Sequence, residues 1–135
     1  MSSKKSILAV LVAFVISNVL TTIYYMLTNE ANMVPYRREE INYAALMVNH
    51  LIYAGILVYL FPAYYQKLPK LSNGFFFGVL MAAMMFVPQA LVVRAIWTVD
   101  INTIFFANTL AHLVIGGIIG LAVALIYGNK KQSIE

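Results

Sequence analysis

Charged residues divide the chain into long stretches that contain no charge at all. There are four of them, at 6–29, 41–66, 71–93 and 101–129. A helix needs roughly 20 residues to cross the hydrocarbon core of a bilayer, and each stretch is longer than that. The pattern therefore predicts four membrane-spanning helices, at about 6–28, 41–65, 71–98 and 103–128.

The predicted fold is all-α, an integral membrane four-helix up-and-down bundle that forms a single domain over residues 1–135. Short connections between consecutive helices favour antiparallel neighbours. The chain is 62% hydrophobic and 10% charged, whereas soluble domains are about half apolar and about a quarter charged. This composition excludes a soluble enzyme and a disordered tail, and the lack of cysteine excludes a disulfide-rich secreted domain. The lipid bilayer is therefore the expected surrounding.

The first apolar stretch follows Lys4 and Lys5, as the core of a signal peptide would. It is longer than such a core, and the residues beyond it, Tyr24 to Asn32, lack a small-x-small cleavage site. We expect a retained helix.

Basic and acidic residues alternate between the two ends of the predicted spans. Six lysines fall at one end of the predicted spans. Lys4 and Lys5 precede the first span, Lys67 and Lys70 lie between the second and third, and Lys130 and Lys131 follow the fourth. The opposite loops carry Arg37 and Arg38 with most of the acids. The positive-inside rule then predicts cytoplasmic termini, and we expect a bacterial inner membrane. No continuous basic patch with interleaved aromatics exists, so nucleic acid is not an expected partner.

Aromatic residues cluster where the predicted helices end, a position typical of membrane interfaces. At the lysine-bearing end they are Phe61, Tyr64, Tyr65, Phe75, Phe76, Phe77 and Tyr127. We expect an interfacial belt there.

Two segments resemble each other closely enough to suggest an internal repeat. Residues 50–57 align with 112–119, and four of the eight positions are identical, among them His50 with His112. Two repeated helical hairpins in the same orientation would explain this match. Convergence is the alternative, because apolar helices resemble one another by composition.

Small residues recur at four-residue spacing in three of the spans. The ladders are Ala9, Ala13, Ser17 and Thr21; Gly74, Gly78 and Ala82; and Gly116, Gly120 and Ala124. Such ladders let helices approach closely in lipid, so we interpret them as packing surfaces. Gly116 and Gly120 are expected to contact another helix, and self-association or a membrane-complex partner is also expected.

Polar residues inside the spans are the candidate ligand-binding residues, because they are costly in lipid unless they face the bundle interior. A helix rises about 1.5 Å per residue, which places one polar residue of each helix at a common depth, in the half of the bundle away from the cytoplasm. These residues are Asn18, His50, Gln89 and His112. Asn108 lies one turn from His112, and Arg94 lies nearer the outer end. The repeat predicts that His50 and His112 meet across the bundle axis.

This polar layer has three interpretations. It binds or conducts a small or amphipathic ligand, with histidine as the element that changes charge near neutral pH. Alternatively, it only fixes helix packing in a structural subunit of a membrane complex. The third interpretation is a b-type haem with His50 and His112 as axial ligands; apart from haem, no cofactor or metal is expected. No catalytic motif is present, so an enzyme is not predicted.

Overall fold

The computed structural model describes residues 3–28, 42–65, 71–96 and 103–128, without the side chains of 90, 93–96 and 103–105. Within these ranges the chain forms four α-helices and no strand. They are α1 (Ser3–Thr28), α2 (Tyr43–Tyr65), α3 (Leu71–Ile96) and α4 (Thr103–Tyr127). All four predicted helices are confirmed, and the largest boundary difference is at the start of α1, which was predicted at residue 6.

Each helix is long and apolar enough to cross a membrane. Their outward faces carry large apolar side chains, and Leu11, Ile52 and Leu110 are each at least half exposed. So large an apolar surface suits lipid rather than water, and helices satisfy their own backbone hydrogen bonds there. The protein is therefore a multi-pass integral membrane protein with an all-α four-helix fold.

The helices form an up-and-down bundle whose neighbours are not equally close. α3 and α4 share the most extensive interface, and α1 packs against both α4 and α2. α2 and α3 touch much less. We call the end where α1 begins and α4 ends the terminal end, and the opposite one the loop end.

The interface between α3 and α4 is built from glycine, as the small-residue ladders predicted. A Cβ atom added at Gly78 would collide with the backbone carbonyl of Gly116, and one at Gly120 would collide with that of Gly74. A Cβ at Gly74 would lie 2.5 Å from the Cβ of Ala124. The two backbones thus touch at positions where no larger residue fits. We call this interface the glycine seam.

The ladder of α1 is also confirmed as a packing surface. The buried residues of this helix are Ala9, Ala13, Ser17 and Thr21. Their four-residue spacing places them on one face of the helix, and the two polar members, Ser17 and Thr21, lie toward the loop end.

Aromatic side chains at the terminal end form part of the core rather than an interfacial belt. Phe61 is fully buried and stacks on Tyr65, with ring centroids 4.9 Å apart. Phe77 meets Phe61 edge-on at 5.5 Å, and Tyr127 also contacts Phe61. Phe61, Tyr65 and Phe77 lie at the predicted helix ends, but their side chains are buried because their helix faces turn inward. Phe76 does point outward, at 63% exposure.

Candidate functional site

A small cavity lies between the helices, in the half of the bundle nearer the loop end. The polar side chains that line it are Ser17, Thr21, Asn49, His50, Tyr53 and His112. The rest of the wall is Met85 and Phe86 of α3 with Ile115, Gly116 and Ile119 of α4, and most of the exposed lining is apolar. The cavity volume is about 10 Å³, which is about enough for a single water molecule.

His50 links α2 to α1. Its Nδ1 atom lies 2.7 Å from the Oγ atom of Ser17, and the two share a buried hydrogen bond. Because a serine hydroxyl both donates and accepts, either partner can supply the hydrogen. This bond fixes the ring of His50 and the register of the two helices.

His112 is oriented by its own helix instead. Its Nδ1 atom lies 2.8 Å from the backbone oxygen of Asn108. A carbonyl oxygen only accepts, so Nδ1–H is the donor, and Nε2 of the neutral ring is left as a hydrogen-bond acceptor. The fold thereby selects one tautomer of His112.

Three aromatic rings surround the imidazole of His112. The centroid of Phe86 is 4.1 Å from that of His112, and those of Tyr25 and Tyr24 are 6.0 and 6.1 Å away. The imidazole of His112 therefore packs in an aromatic environment.

His50 and His112 line the same cavity, as the predicted pairing requires. Both side chains are buried. The two imidazoles therefore share one buried cavity.

Tyr53 brings a hydroxyl group to the same cavity. The residue is 7% exposed, and its hydroxyl is buried and has no hydrogen-bond partner in the described part of the chain. The hydroxyl would lie 3.1 Å from a Cβ atom at Gly116, so the glycine leaves room for it. The Oδ1 atom of Asn108 is the other buried polar atom without a partner among the described residues.

The remaining predicted site residues do not line the cavity. The side-chain amide of Asn18 donates to the backbone oxygen of Phe14, 2.8 Å away on its own helix. Gln89 is exposed, and the placement in an inward-facing polar layer is wrong for it. Asn108 serves the site only through its backbone oxygen, and the side chain of Arg94 lies outside the described residues.

Four polar residues of the cavity wall were not predicted from the sequence. Ser17 and Thr21 were interpreted as packing residues alone, although Ser17 adjoins Asn18 at the predicted depth. Tyr53 was not singled out, yet it follows His50 by three residues and so shares its helix face. Asn49 was not singled out either, and it lies at the exposed rim of the same cavity.

Among the described residues, no three side chains of histidine, cysteine, aspartate or glutamate come together. Comparison with family models, curated proteins and solved structures finds no match to this chain. The function is therefore argued from the geometry and chemistry of the cavity.

Proposed function

We propose that this chain is a membrane protein that binds or conducts a small polar species through the cavity, and that the cavity suits a proton best. The observation that carries the proposal is that His50 of α2 and His112 of α4 line one cavity. Histidine is the side chain whose charge changes near neutral pH. Ionisable groups inside a membrane protein commonly mark proton or ion pathways.

The size of the cavity supports the small ligand rather than the amphipathic one. Pockets for drug-sized ligands measure about 300–1,000 Å³, whereas this one measures about 10 Å³. The volume favours water and protons over an amphipathic molecule.

The groups that face the cavity are consistent with a proton as the mobile charge. The titratable ones are His50 and Tyr53 from α2 and His112 from α4, while α1 contributes hydroxyls and α3 contributes Met85 and Phe86.

Proton flux into liposomes tests this proposal. The purified protein would be reconstituted with a pH-sensitive dye inside the vesicles, and a potassium diffusion potential would drive the flux. We expect flux above protein-free vesicles, and we expect His50→Leu and His112→Leu each to reduce it at least tenfold at equal protein insertion.

Gln89→Leu is the matched control, because it removes a polar side chain that is exposed and does not line the cavity. Its flux should equal that of the unmodified protein. Equal flux in all three variants, or no flux above protein-free vesicles, would contradict the proposal.

A structural subunit of a membrane complex is the second candidate function, and the hydrogen bond between Ser17 and His50 favours it. That bond joins two helices, as a packing role requires. In this case His50→Leu would lower thermal stability, and activity would fall only in proportion to the folded fraction.

The geometry does not favour the haem alternative. A porphyrin needs far more room than about 10 Å³, and Phe86 already lies against the ring of His112. The absorbance spectrum of the purified protein decides the matter, because a Soret band would restore haem as a candidate.

We also propose that both termini face the cytoplasm of a bacterium and that the chain lies in its inner membrane. The lysine distribution supports this orientation. The chain has no cysteine, so single cysteines can be introduced without interference. Cysteines at Ser3, Asn73 and Ser133 should be protected from an impermeant thiol reagent in intact cells, whereas one at Asn32 should react. Labelling at Ser3 without labelling at Asn32 would invert the topology.

The internal repeat and an oligomeric or complexed state remain part of the proposal. The equivalent positions of His50 and His112 support a duplicated hairpin. The two glycines at matching positions of the repeat have different surroundings. Gly55 has no atom within 4 Å of an added Cβ, whereas Gly117 packs against Phe75.

A further inference from the structure

We infer that the cavity binds one water molecule and that Tyr53 holds this water against His112. Its role in proton transfer rests on the proposed function, but water binding itself does not. Tyr53 thereby becomes a member of the site, as the donor that orders its contents.

The hydroxyl of Tyr53 is the first observation. It lines the cavity, it is buried, and no protein atom among the described residues bonds to it. A buried hydroxyl without a partner is unfavourable, and most such groups in proteins bond to protein or to ordered water. The hydroxyl therefore calls for a partner inside the cavity.

The second observation is the fixed tautomer of His112. Because Nδ1–H donates to the backbone of Asn108, the neutral ring offers only the Nε2 lone pair to another group. Tyrosine and His112 thus present a donor and an acceptor to one cavity. Water accepts from the first and donates to the second.

The size of the cavity and the polar groups in its wall also fit one water molecule. About 10 Å³ matches one water, and a buried water needs two to four polar partners. Thr21 and His50 line the same space and supply further hydrogen-bonding groups. Gly116 keeps the space open, since a Cβ there would lie 3.1 Å from the Tyr53 hydroxyl.

Removing the hydroxyl tests the inference. In Tyr53→Phe the ring stays and only the hydroxyl is lost, so the result reports whether that hydroxyl had a partner. We expect the midpoint of thermal unfolding in detergent to fall by about 3–6 °C. Tyr59→Phe is the control, because Tyr59 lies on the same helix at 83% exposure, and its midpoint should not change.

An unfolding midpoint of Tyr53→Phe that equals or exceeds that of Tyr59→Phe would overturn the inference. Removing a buried hydroxyl that has no partner does not lower stability, whereas removing one that binds water does. The link to His112 has its own test. If one water joins the two side chains, the variant with both Tyr53→Phe and His112→Leu should be no less stable than His112→Leu alone. Additive losses of stability would contradict the shared water.

The two proposals fail in different ways. A lowered midpoint for Tyr53→Phe in a protein without proton flux keeps the water site and rejects proton conduction. Flux at the normal rate in a Tyr53→Phe variant of unchanged stability keeps conduction and rejects the water site.

Discussion

The glycine seam and the cavity lie side by side in the bundle, and they differ in the residues that form them and in the space that these residues leave. In the seam, Gly78 and Gly120 bring two backbones into contact and leave no room for a side chain. In the cavity, His50, Tyr53 and His112 bring polar groups together and leave space between them. The seam is therefore suited to holding helices together, and we propose that the cavity binds water and protons.

Gly116 belongs to both regions. A Cβ atom there would lie 2.6 Å from the backbone oxygen of Gly78 and 2.5 Å from the Cβ of Ala82, and the residue also lines the cavity. The close approach of α3 and α4 thus sets one wall of the polar site. A small-residue ladder can position a site without taking part in it.

The substitution with the largest expected effect disrupts the glycine seam. Gly120→Leu should prevent assembly of the bundle, because its side chain would meet the backbone of Gly74 and Gly78. Overpacking typically costs about 1–3 kcal/mol, and backbone contact favours the upper end or beyond. The measurement is the monodisperse fraction and the unfolding midpoint in detergent.

Gly55→Leu is the control for the seam, because nothing lies within 4 Å of an added Cβ at Gly55. Its stability should stay close to that of the unmodified protein. Equal stability of both variants would mean that the seam does not hold the helices.

A smaller loss of stability is expected when the hydrogen bond of His50 to α1 is removed. Ser17→Ala removes the 2.7 Å hydrogen bond to His50, and interhelical bonds of this kind contribute about 0.6–2 kcal/mol in membranes. We expect a correspondingly lower unfolding midpoint. Thr22→Ala, at an exposed position of the same helix, should leave the midpoint unchanged, and equal midpoints would show that the bond does not stabilise the bundle.

The helices and the glycine seam could be predicted from the sequence because both follow from residue positions along the chain. Span length follows from the uncharged stretches, and the contact of Gly116 and Gly120 follows from four-residue spacing. Neither inference needs to know how a helix is rotated about its axis.

The membership of the cavity depends on that rotation, and this is why the prediction was partly wrong. Asn18 and Ser17 lie at nearly the same depth, but only Ser17 faces His50. In these helices nearly every face is apolar, so hydropathy does not indicate which face turns inward. Gln89 and the aromatic cluster around Phe61 were misplaced for the same reason.

The central claim is that His50 and His112 act as one unit, and histidine NMR tests it directly. The chain contains only two histidines, so ¹⁵N-labelled histidine gives signals from these two rings alone. We expect neutral His112 to carry its hydrogen on Nδ1, and we expect its titration midpoint to change when His50→Leu is introduced, because interacting groups titrate as a pair. A titration of His112 that is identical with and without His50 would contradict the account.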